Sequence, residues 1–166
     1  MNTPISWNEI DSCQLAEFQQ LDSANIKILK VFTAPHAGGF APIIFYDYGH
    51  VGNDFIDMYD KHLTTMTKID RFIDGDPNDA NYEDTATDKP IFHNHFTNNL
   101  GCFYVCVMKH FLQENVSTYT IQAFLNKNNQ LLMGQTSIYN FNEQNPINDL
   151  NNNELFNNIL TCLIDL

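Results

Sequence analysis

The stretch LGCFYVCVMKHFLQ, Leu100 to Gln113, decides how the chain is built. Its apolar run shows neither the two-residue alternation of a half-buried strand nor the single stripe of a surface helix, so either buried element fits. Asn98 and Asn99 stand where caps would stand, and the length suits a helix better than a strand. A buried helix is therefore expected here, opening at Gly101-Cys102-Phe103.

Downstream, Ser117 to Leu125 and Leu131 to Phe141 alternate as strands do, with Asn126-Lys127-Asn128-Asn129-Gln130 as the hairpin loop. An Asn-rich connection with Pro146 then leads into Leu155, Phe156, Ile159, Leu160, Leu163 and Ile164, a final amphipathic helix. Upstream lies a short apolar run at Ile91 to Phe96, preceded by DGDPNDANYEDTATDK at 74–89. That segment has no aliphatic residue larger than alanine and reads as a long exposed acidic loop.

Before the loop, Asn53 is placed to cap a helix whose stripe runs through Phe55, Tyr59, His62, Met66, Ile69 and Ile73. His62 is expected to be buried in that stripe. Asp54 and Asp57 lie near its N-terminus, where the helix dipole favours acids. Ile26 to Ala34 and Phe40 to Tyr48 read as a strand pair joined by Pro35-His36-Ala37-Gly38-Gly39. Pro42 suggests an edge position or a late strand start. At the N-terminus, Ser6 with Glu9 makes a capping box and Ile5 with Ile10 a staple, predicting a helix from Trp7 to about Asp22. The expected architecture is one α+β domain over 1–166, an antiparallel sheet of four to five strands flanked by three to four helices.

The totals fit such a domain: 166 residues, 43% apolar, with thirteen Phe and seven Tyr, argue for one packed core rather than a disordered chain. No stretch approaches the ~20 apolar residues of a membrane span. Met1 to Trp7 lacks the basic and apolar regions of a secretory signal, so a cytoplasmic address is expected. In that compartment Cys13, Cys102, Cys106 and Cys162, with no CxxC pair among them, are expected as free, buried thiols.

Three small clusters invite a chemical reading. Asp74, Asp76 and Asn78 begin like a calcium loop, but Asp79 stands where glycine is needed and Thr85 where glutamate is needed. His93 and His95 would share one face of a strand and could reach one metal, with Cys102, Cys106 or an Asp completing the shell, although the sequence does not pair these further ligands; no metal or cofactor is expected. Cys102 at a helix N-terminus would have a lowered pKa and, with His36, His50, His93 or His95 as base, could act as a thiol nucleophile. A cysteine in an apolar run is ordinarily core, and no GxSxG, HExxH or phosphate-binding glycine pattern is present.

Charge is the most distinctive property. Twenty acids against eight bases give −12, and between Asp47 and Asp88 eleven acids face three bases, a balance of −8. Such a surface repels nucleic acid and anionic lipid and attracts basic proteins, while also serving plain solubility. Asp54, Asp57, Asp74, Asp76, Asp79, Glu83, Asp84 and Asp88 are the expected contacts to a basic protein partner. The expected function is an inhibitor of that partner, such as an immunity protein neutralising a toxin or effector; a DNA-mimic inhibitor and a Cys102 thiol hydrolase are the alternatives.

Overall fold

The computed structural model describes residues 3–21, 26–36, 39–51, 54–68, 88–113 and 116–166. In chain order the elements are β1 (Asn8–Glu9), α1 (Ser12–Leu21), β2 (Lys27–His36), β3 (Gly39–Asp47), α2 (Asp54–Lys68) and β4 (Asp88–Asn98). They continue with β5 (Gly101–Gln113), β6 (Val116–Lys127), β7 (Gln130–Ile138), α3 (Pro146–Asn152) and α4 (Glu154–Asp165). The strands form one antiparallel sheet of seven, ordered β1-β2-β3-β7-β6-β5-β4. Four to five strands were expected, and that number is overturned.

The largest correction is Leu100 to Gln113, which is a strand and not a helix. The reason is burial on both faces: Phe103, Val105 and Val107 pack to one side and Tyr104 and Cys106 to the other, all 4% exposed or less. When both sides of a strand are covered, alternation disappears from the sequence. Asn98 and Asn99 do not cap a helix; Asn98 pairs with Gly101 to close a tight turn into β5.

The N-terminus corrects the second expectation. Trp7 is buried against Phe32, ring centroids 5.7 Å apart, and Asn8 and Glu9 pair with β2. Ile5 is fully exposed, so the staple does not form. The real capping box lies downstream: Asp11 Oδ1 accepts from the N–H of Cys13 and Gln14 at 2.9 Å, and Gln14 Oε1 accepts from the N–H of Asp11. Burying the indole outweighs a cap worth about 1 kcal/mol.

Other local readings hold with adjustments. Asn128 and Asn129 have φ of 55° and 64°, the left-handed pair that a two-residue turn between β6 and β7 requires. β3 is interior rather than an edge, but its ladder to β7 begins at Ile43, just past Pro42. Pro146 opens the short α3, and Asn153 caps α4 through its side chain to the N–H of Phe156.

Helices cover both faces of the sheet. α4 lays Leu155, Phe156, Ile159, Leu160 and Leu163 on Phe45, Phe96, Val105, Ile121 and their neighbours. Each large side chain buried there contributes roughly 1.5–3 kcal/mol. Gly134 lets the helix come close, since a Cβ at that position would meet Ile159 Cγ2 at 2.5 Å and Phe45 Cε1 at 3.1 Å. On the other face α2 seats Leu63, Phe55 and Tyr59 over Tyr104, Phe124 and Met133. No helix among the described residues is long and apolar enough to cross a membrane.

Candidate functional site

Register sets the chemistry of the face beneath α2. Pairing across the strands places His93, Cys106, Gln122, Gln135 and Ile44 in one row, and His95, Tyr104, Phe124, Met133 and Tyr46 in the next. The apolar row lies under Phe55 and Tyr59 of α2; the polar row is bonded into chains.

One chain fastens α2 to the sheet. Asp60 Oδ1 accepts from Tyr104 Oη at 2.6 Å and lies 2.8 Å from His93 Nδ1. The Tyr104 hydroxyl, and then His93, hold the Asp60 carboxyl below the ordinary carboxylate range. Burial pushes the Tyr104 phenol upward, and its bond to Asp60 adds to the shift, so it stays a protonated donor. The His95 ring meets Tyr104 edge to face at 5.6 Å.

A second chain crosses the centre. Tyr59 Oη donates to Gln122 Oε1 at 2.8 Å, and Gln122 Nε2 donates to Gln135 Oε1 at 2.8 Å. Beside them Cys106 is fully buried, and burial pushes its thiol up to about 12, with the Tyr59 contact pulling the other way. Such a thiol is unreactive at neutral pH.

A third chain runs through residues outside the cluster packed with α2. Asp88 Oδ1 lies 2.5 Å from His110 Nδ1, His110 Nε2 lies 2.7 Å from Thr120 Oγ1, and Thr120 Oγ1 lies 3.5 Å from Ser137 Oγ. These four residues come from β4, β5, β6 and β7, so the chain laces adjacent strands.

The sequence-expected residues divide between these places. Asp54 and Asp57 are exposed in the first turn of α2, and Asp88 opens β4. Asp74, Asp76, Asp79, Glu83 and Asp84, with the cap residue Asn53, lie outside the described residues. Cys102 is exposed in β5 opposite Thr97, so the helix terminus that would activate it does not exist; Cys13 is exposed too, and of the four thiols expected to be buried only Cys106 and Cys162 are. His93 and His95 do share a face, and Cys106, one of the expected further ligands, stands opposite His93, while His95 stands opposite Tyr104. No group of three or more His, Cys, Asp or Glu able to hold a metal occurs among the described residues. His62 is exposed, because Leu63 takes the buried position in the α2 stripe.

Sequence reasoning missed Asp60, Tyr104, His110, Thr120, Gln122 and Gln135. Tyr104 and His110 were hidden in the segment read as a helix. Polar residues recurring every second position, Ser137 and Gln135 on β7 with Thr120 and Gln122 on β6, were the available signal of a polar stripe on one sheet face. No protein-family model matches the chain, and no curated protein matches it.

Proposed function

We propose that the chain is an acidic cytoplasmic protein that binds and inhibits a basic protein partner, in its most concrete form an immunity protein that neutralises a toxin or effector. The observation that carries this reading is the segmental charge: −8 of the −12 falls between Asp47 and Asp88. The solvent side of α2 supports it. Asp54 and Asp57 are exposed there, and Met58, 62% exposed, stands between Asp54 and Lys61 as an apolar contact within the charged surface. Complementary charge raises association rates and selects partners, and arginine or lysine clamps on carboxylates supply directional bonds.

Affinity capture from source cells at low and at physiological salt tests the proposal, followed by an activity assay on what is captured. The expected result is a basic protein whose activity is inhibited by the chain. Replacing Asp74, Asp76, Asp79 and Glu83 with lysine should release it at least ten-fold more readily. Retention of the partner by that variant, or no inhibition of its activity, overturns the reading. A toxin-like gene beside the coding sequence would strengthen it.

A further inference from the structure

The two edges of the sheet are unequal. Among the described residues β1 is two residues long, whereas β4 forms the other edge over eleven residues. Hairpin geometry determines which β4 backbone groups face outward. Asn98 and Gly101 close the two-residue turn Asn99-Leu100 as a hydrogen-bonded pair, so Phe96 with Phe103 and Asn94 with Val105 are the next bonded pairs. His93, His95 and Thr97 therefore turn their N–H and C=O away from β5. The His95 N–H donates to Asn94 Oδ1 at 2.7 Å, as an outward amide can and a ladder amide cannot.

Edge strands are ordinarily blunted by charge, proline or a bulge. β4 carries all three devices at its beginning, in Asp88, Lys89, Pro90 and the bulge between Pro90 and Phe92. From Phe92 to Asn98 it is regular and has none of them. α2 lies along this edge, fastened by the Asp60 contact to His93. Asp57 is one turn before Asp60 on the same flank of the helix. Asp57 is exposed and the Asp60 side chain is 42% exposed, while Lys61 is a base on that flank.

We propose that β4 accepts an added strand from a protein partner, an extended segment with Lys or Arg at alternate positions. Its backbone pairs with His93, His95 and Thr97, the His95 N–H exchanging its bond to Asn94 Oδ1 for one to the added strand. Side chains opposite His93 and His95 project to the α2 side of the sheet, where their cations meet Asp57 and Asp60. The basic character of this strand rests on the proposed function; the availability of the edge does not.

The test uses the full chain, labelled with nitrogen-15, and the synthetic peptide acetyl-TKVKVKT-amide at low salt. Amide hydrogen exchange is followed by NMR. At saturating peptide, exchange at His93, His95 and Thr97 should slow at least ten-fold, and methylating alternate peptide nitrogens should abolish the effect. His95→Pro removes an outward donor without touching the ladder to β5 and should also abolish it. Equal slowing by a peptide with Thr in place of Lys would overturn the basic strand and count against the acidic-surface reading. Peptide-induced shifts confined to α2, with unchanged exchange at the three β4 amides, would overturn strand addition and leave the acidic-surface reading standing.

Discussion

The two faces of the sheet are covered by helices of similar size and different chemistry. Under α4 the contact is almost wholly apolar: Phe156, Ile159 and Leu160 are 1% exposed or less and meet Phe45, Phe96 and Ile121. Under α2 the contact is a small aromatic cluster bordered by hydrogen-bond chains, and Asp60 in one of them remains 42% exposed. The difference assigns stability mainly to one side and adaptable polar chemistry to the other. The exposed Asp54 and Asp57 and the β4 edge lie on the α2 side of this contrast. A binding surface needs polar groups near solvent, and such groups would be costly under α4.

The largest test of this contrast compares a truncation on each face. Phe156→Ala removes a fully buried ring beneath α4, where close packing prevents collapse, and should cost about 3–5 kcal/mol in urea unfolding. Leu63→Ala removes the most buried α2 side chain from a cluster whose border is open to solvent. It should cost about 2 kcal/mol, the low end for a buried leucine. Equal losses at the two sites would show that the α2 face is as tightly packed as the other, and the contrast would fail.

That contrast was only half visible in the sequence. The α4 stripe was legible because Leu155, Phe156, Ile159, Leu160 and Leu163 recur at helical spacing beside a cap, and local pattern and tertiary role coincide there. The β6–β7 hairpin and the β2–β3 pair were legible for the same reason. Leu100 to Gln113 was not, because burial on two faces erased the period that would mark a strand. The error removed Tyr104 and His110 from view. Asp60 was counted only as one charge among eleven, since its partners lie 33 and 44 residues away and no local pattern points to them.

The fastening of α2 is the next test in size. Tyr104→Phe deletes the hydroxyl that bonds Asp60 and should cost about 1 kcal/mol near neutral pH, because Asp60 keeps His93 and much of its access to water. The pH dependence follows from the direction of the Asp60 shift. Its folded pKa lies below the ordinary 3.8, so the bond's contribution is fully present above 3.8 and is lost as pH falls through the folded value. The stability difference between the native chain and Tyr104→Phe should therefore narrow as pH falls below 3.8. A difference that stays constant with pH would show that the hydroxyl acts through packing and not through the carboxylate.

The smallest expected effect falls on Asp88, which belongs both to the proposed partner surface and to the chain through His110 and Thr120. Its side chain is 48% exposed and that of His110 is 28% exposed, so the pair is screened by water. Asp88→Ala should change unfolding stability by no more than about 0.5 kcal/mol. His110 keeps Thr120 as a partner, and the strands keep their ladders. The same substitution removes a carboxylate from the segment proposed to meet a basic protein and should weaken capture measurably. Loss of about 2 kcal/mol of stability with capture unchanged would reverse the assignment. The chain across β4 to β7 would then hold the fold, and the division of labour between the two faces would have to be redrawn.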